Sequence, residues 1–137
     1  MSDPTPVTRA VTYERDRHRC ISCGRWVHLQ YQHRAAVGMG GSKIRPLFVV
    51  GVTSCAICNP EYERTLQAQA LRFGWKVPSW VRDQDRGGDV PVYYLLERAW
   101  FRLHRDGRRT QVTRERALRM MHDVYGDEYD DEKGLAQ

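Results

Sequence analysis

Residues 20–59 read CISCGRWVHLQYQHRAAVGMGGSKIRPLFVVGVTSCAICN, and a Cys-x-x-Cys pair stands at each end of the stretch, Cys20/Cys23 and Cys55/Cys58. The pairs are 31 residues apart, and Gly24 follows the first, as tight turns around thiolates often require. Two such knuckles present four thiolates to a single Zn²⁺ in a closed, structural site. The alternatives are disulfides or a redox pair, but no βαβ pattern of the thioredoxin kind surrounds either knuckle. A structural zinc would supply on the order of 10 kcal/mol of folding free energy, a large share for a small domain.

Between the knuckles, Val27, Leu29 and Tyr31 alternate with His28, Gln30 and Gln32, the period of a half-buried strand that ends at His33. Residues 34–46 contain Gly38, Gly40, Gly41 and Pro46 and read as a mobile loop. Residues 47–53 are apolar and β-branched, and return as a second strand. From Ala56 onward, Tyr62, Leu66, Ala70 and Phe73 recur at helical spacing until Gly74. A short helix over residues 8–16 leads into the first knuckle.

Beyond a proline-containing linker at 76–80 and a polar turn region at 83–89, residues 92–96, 100–104 and 108–112 read as strands of a small β-meander, the last two joined at Asp106-Gly107. Thr113 caps a final helix with Ala117, Leu118, Met121 and Val124 on one side. The expected class is therefore α+β. Residues 1–75 form a zinc module, 76–125 a meander-plus-helix appendage, and 126–137 a disordered acidic tail.

Charge separates the two ends of the 137-residue chain, whose net charge is +5. Residues 123–137 hold six acids against the single base Lys133, so the remainder is strongly basic, and 19 of the 22 bases are Arg. Guanidinium forks suit phosphate oxygens, which favours nucleic acid as partner; an Arg-rich proteome would give the same count without that meaning. No run approaches the ~20 apolar residues of a membrane span, and the start MSDPTPVTRA has no basic-then-apolar leader pattern, so a soluble cytoplasmic protein is expected.

Taken together, Arg15-Asp16, Cys20-Ile21-Ser22-Cys23-Gly24, Gln32-His33-Arg34 with Gly38-Met39-Gly40-Gly41-Ser42, and Cys55-Ala56-Ile57-Cys58-Asn59 carry a resemblance over about residues 8–75. The stretch resembles the HNH, or ββα-metal, endonucleases, in particular phage-encoded members of actinobacterial hosts, and its Cys-x-x-Cys-Asn ending is similar to phage recombination endonuclease VII. The resemblance implies that His33 is the general base. It also implies that Gln32 and Asn59 bind a catalytic Mg²⁺ or Mn²⁺, and that the reaction is hydrolysis or nicking of DNA phosphodiesters in the cytoplasm of a phage's bacterial host. Two positions depart from the pattern. Gln32 puts a neutral amide where a carboxylate or imidazole usually ligates, and Val50 lies near the family's middle Asn. Endonuclease VII-like enzymes act as dimers, so a homodimer is an implied assembly.

The residues themselves add to this. Asn59 and Glu63, four apart, would aim from one helix face at the same ion, whereas Glu61 is one position off. Arg17, Arg19, Arg25, Arg34, Lys43 and Arg45 crowd the module as candidate phosphate contacts. The GMGGS run lacks a following GK[ST] and reads as a loop approaching DNA rather than as a nucleotide cradle. Each assignment has a plainer counterpart: a strand-end surface histidine, a helix-capping asparagine, a solvated helix glutamate. The rival functions are a catalytically degenerate HNH-fold adaptor for DNA or protein, and an inhibitor of a phage or host protein that docks through residues 80–100 and the acidic tail.

Overall fold

The computed structural model describes residues 3–36 and 48–136. Helix α1 (Pro6–Arg15) starts where the Thr5 hydroxyl accepts the Thr8 amide and Pro6 occupies the first turn, and it leads into the first knuckle. Strands β1 (Leu29–His33) and β2 (Gly51–Cys55) form an antiparallel hairpin in which Leu29 faces Cys55, Gln32 faces Val52 and His33 faces Gly51. Residues 48–50, expected to open the second strand, instead form one 3₁₀ turn. The glycine loop with Lys43 and Arg45 lies outside the described residues.

The helix expected from residue 56 to 74 is broken into α2 (Cys58–Glu61) and α3 (Gln67–Arg72). Between them the Leu66 amide reaches five residues back to the Glu61 carbonyl, and the buried Tyr62 ring turns its hydroxyl to Ser22, 2.7 Å away. That wider closure interrupts the four-residue ladder. The linker and polar turn region contain a short α4 (Ser79–Asp83). The meander follows as expected, with β3 (Val92–Tyr94), β4 (Ala99–Leu103) and β5 (Arg109–Val112) in sequential antiparallel order. The Thr113-capped α5 (Arg114–Tyr125) comes next.

The meander and the hairpin share a core. Val92, Tyr94, Phe101 and Leu103 pack in one cluster with Val52, Tyr62, Ala70 and Trp75, so packing is continuous across residue 75. A second cluster joins Ala35, Val77, Val81 and Val90 to Trp100 and to Leu118, Met121 and Tyr125 of α5.

Two buried arginines hold the pieces in register. Arg15 donates to the carbonyls of Phe48 and Gly51, both at 2.8 Å, and to Asp16; that carboxylate also accepts the Thr53 amide and the Tyr94 hydroxyl. Arg34 is 1% exposed and donates to the carbonyls of Gly74, Val49, Gly87 and Val90 at 2.6–2.9 Å. This corrects the expectation that Arg34 contacts phosphate, because its guanidinium is consumed inside the protein and presents no donor to solvent.

The acidic end, expected to be disordered, is folded through residue 136. A 3₁₀ turn is followed by the two-residue strands β6 (Tyr129–Asp130) and β7 (Gly134–Leu135). Tyr129 is 2% exposed, stacks on Tyr125 and donates to the Arg72 carbonyl at 2.9 Å. Asp130 closes the turn by accepting the amides of Glu132 and Lys133, and His122 Nε2 lies 2.7 Å from an Asp131 oxygen. Five of the six acids are thus distributed around a tyrosine anchor, which charge counting alone conceals. Among the described residues, no helix is long and apolar enough to cross a membrane.

Replacing Arg34 by Lys leaves at most three donors for four buried carbonyls and should lower unfolding free energy by about 3 kcal/mol or more, read by urea denaturation. The Asp131 carboxylate raises the His122 pKa above its ordinary value. The contribution of this contact is therefore complete below the unfolded-state pKa and is lost as pH rises through the higher folded value. The protection factors of the Tyr129 and Leu135 amides, with the intrinsic pH dependence of exchange divided out, should fall over that upper interval in the wild type, and His122→Gln should remove that fall.

Candidate metal centre and the adjoining hairpin

The knuckles bring Cys20, Cys23, Cys55 and Cys58 together with their four sulfurs within 4.8 Å of one another; none is in a disulfide, and three are buried. Cys23 and Cys55 Sγ are 3.7 Å apart, close to the ~3.8 Å edge of a tetrahedron with metal–sulfur bonds of about 2.3 Å. Gly24, at φ +80°, allows the first knuckle to turn, and its amide bonds to the Cys20 carbonyl. The second knuckle is closed by the Cys58 amide donating to Cys55 Sγ at 3.4 Å.

The electrostatics of the cluster call for a cation. For Cys55, burial opposes ionisation, but the amides of Cys58 and Ile57 and the neighbouring thiols outweigh it and hold its pKa at about 6. Burial and the other sulfurs push Cys58 and Cys23 up instead. Four adjacent thiolates would repel one another, and among the described residues Arg25 is the cation hydrogen-bonded to them, its Nη1 3.4 Å from Cys23 Sγ and 3.9 Å from Cys55 Sγ. A divalent cation would neutralise the charge that one guanidinium cannot, so donor type, spacing and charge all fit a bound metal ion.

The hairpin has two distinct faces. Tyr31 and His33 lie on the same side as α1, with their rings edge to face at 5.2 Å, and a β-carbon at Gly51 would fall 2.0 Å from the Tyr31 hydroxyl. Glycine is therefore the residue that can pair with His33 there. Strand alternation sends Gln30 and Gln32 to the other face, across from Ser54 and Val52. Asn59 leans over that face and donates its amide to Gln30 Oε1, while Gln32 Nε2 donates to the His33 carbonyl at 3.0 Å. Each NH₂ donates one bond and keeps a second hydrogen, and the amide oxygen is the atom of Gln32 and Asn59 that could ligate a cation. The Ser54 hydroxyl, fully buried and directly opposite Gln30, has no hydrogen-bond partner among the described residues.

Glu63 does not join them. It lies beyond the end of α2, so the four-residue helical spacing from Asn59 is lost, and its carboxylate pairs with Lys76 Nζ at 2.5 Å. Among the candidate phosphate contacts, Arg17 is exposed 3.7 Å from Glu97, Arg25 is exposed beside the sulfurs, and Arg19 donates to the Gly24 carbonyl with its guanidinium 5.0 Å from the Trp26 ring centroid. Gln30, Ser54 and Trp26 escaped sequence reasoning. Gln30 carried a signal, as it stands on the same strand face as Gln32; the exposure of Trp26 carried none.

No family model, curated protein or solved structure matches this chain.

Metal analysis of protein purified without added chelator should give one equivalent of metal per chain. Cys55→Ser should reduce the metal content and lower the unfolding midpoint by far more than Arg25→Ala, which removes a neighbouring charge but no ligand.

Proposed function

We propose that the chain is a metal-dependent DNA endonuclease of the HNH type, with Zn²⁺ on the four cysteines for structure and Mg²⁺ or Mn²⁺ beside the hairpin for chemistry. The observation that most supports this reading is the local order of parts. A four-sulfur clamp holds an antiparallel hairpin whose first strand ends at His33, and a helix starts at the last cysteine with Asn59 as its second residue. The resemblance implies a phage or prophage setting and the cytoplasm of a bacterial host.

His33 at the strand end takes the proton of the attacking water, a role suited to a side chain whose ordinary titration lies near neutral pH. The water oxygen bonds to phosphorus as the bond to the leaving oxygen breaks. Gln32 Oε1 and Asn59 Oδ1 would be the donors for the catalytic ion, and Glu63, tied to Lys76, would be left out of the ligand set. When bound, that ion supplies stabilisation of the charge growing on the phosphodiester and its leaving group. Arg17 and Arg25 draw the phosphate backbone toward the module.

A second reading is favoured by the same donor set. Neutral amides bind a hard dication more weakly than carboxylates do, so a hairpin with Gln32 and Asn59 also suits a catalytically degenerate HNH-fold module that binds DNA or protein without cutting. Nicking of supercoiled plasmid by the zinc-loaded protein, with and without added Mg²⁺ or Mn²⁺, decides between them. The nuclease reading expects ion-dependent nicking that His33→Ala slows by about 100-fold or more, and faster nicking by Gln32→Asp at limiting Mg²⁺. DNA bound but left intact by the wild type and by Gln32→Asp establishes the adaptor.

A further inference from the structure

Next to the metal centre, residues 25–28 form a run in which every residue is exposed, and Trp26 is 68% exposed. An indole can bury about 150–250 Å², so Trp26, with Val27 beside it also exposed, offers apolar area for a contact. The segment is rigid because it is tied at both ends. The Cys20 amide donates to the Arg25 carbonyl at 2.7 Å, and the Ala56 amide of the second knuckle donates to the His28 carbonyl at 2.9 Å. Arg19 lies over the indole with its guanidinium 5.0 Å from the ring centroid and is itself fixed to the Gly24 carbonyl. The ring is thus braced by a cation and held by the two metal knuckles.

We propose that Trp26 is a stacking platform for an unpaired nucleobase, with Arg19, Arg25 and Arg17 receiving the flanking phosphates, so that this face selects nucleic acid with single-stranded character. The proposal rests on the nucleic-acid part of the function above and not on catalysis. Charge complementarity identifies the occupant. Neither Arg19 nor Arg25 pairs with a carboxylate among the described residues, and Arg17 has only Glu97, at 3.7 Å. An apolar protein surface would leave Arg19 without a counterion, and Arg25 and Arg17 with only the cysteine sulfurs and Glu97, whereas a polynucleotide supplies an aromatic plane and an anion in every repeat. A paired base has both faces covered by its neighbours in the stack; an unpaired one offers a face to the indole. Arg17 and Arg19 also line, with Ile21, Tyr94, Asp16 and Glu97, a cavity of about 320 Å³ beside the first knuckle.

The test is fluorescence anisotropy of the full-length, zinc-loaded protein in buffer without Mg²⁺, using a labelled oligothymidylate and a mixed-sequence duplex of the same length. The oligothymidylate should bind more tightly than the duplex. Trp26→Ala should weaken oligothymidylate binding by roughly tenfold, Trp26→Phe should restore most of it, and duplex binding should change by less than about twofold in both. Because Trp26 is on the surface, circular dichroism and metal content should match the wild type in both variants. Unchanged oligothymidylate affinity in Trp26→Ala, an equal loss on duplex, or no binding of either ligand by the wild type would overturn the proposal. The readout contains no cleavage step, so a protein that never nicks plasmid but loses single-strand affinity in Trp26→Ala still supports it.

Discussion

Arg34 carries a positive charge in the middle of the protein with no carboxylate paired to it among the described residues, and four backbone carbonyls do the work instead. They belong to the turn before β2, the second residue after α3 and two positions in the segment leading to β3. The side chain therefore joins parts of the chain that local structure would leave independent. Burial works against the guanidinium's charge. Its retention depends on every one of those dipoles being in place, and a single displaced segment would leave an unsatisfied group at a cost of about 1–3 kcal/mol. This is why the meander packs as part of the hairpin's core. Arg34 also follows His33 directly, and its amide and carbonyl bond to Val50 and Val77, so the candidate base sits on backbone fixed from both sides.

The four-cysteine cluster applies a second constraint at the opposite end of the same hairpin. Cys55 ends β2, so the sulfurs clamp one end of the ladder while Arg34 clamps the other. Asp16 links the two clamps from behind: it takes the Thr53 amide between them and pairs with Arg15, which holds Phe48 and Gly51. A two-stranded hairpin alone is marginal in water. Here each end and one face are held by polar groups whose partners are far away in sequence.

The sequence was informative where a feature is local. Cysteine spacing, strand alternation up to His33, the Asp106-Gly107 turn and the Thr113 cap each lie within a few residues, and the corresponding elements are present. It was uninformative where a residue's role depends on distant partners. Arg34 looks like any other arginine in a basic stretch, because its acceptors lie 15 to 56 residues away. Glu63 loses its helical relation to Asn59 through Tyr62, whose hydroxyl reaches 40 residues back to Ser22. The acidic end reads as disordered because six acids dominate its composition, yet one tyrosine and one histidine supply the contacts that order it.

The amide-lined face of the hairpin and the exposed indole beyond the knuckles impose opposite demands on charge. Carboxylates at Gln32 and Asn59 would hold a dication strongly, but without the ion they would repel the phosphates that Arg17 and Arg25 would attract under the proposed function. Amides remove that repulsion at the expense of cation affinity. The described hairpin face carries Gln30, Gln32, Ser54 and Asn59 and no acid, and beyond the knuckle Arg19 lies over the exposed Trp26. Under the proposed function, this balance of side chains would favour holding a polyanion over holding a free cation. In such a site the phosphate itself becomes the strongest anionic ligand for an arriving dication, so ion and nucleic acid would enter cooperatively, each raising the affinity of the other.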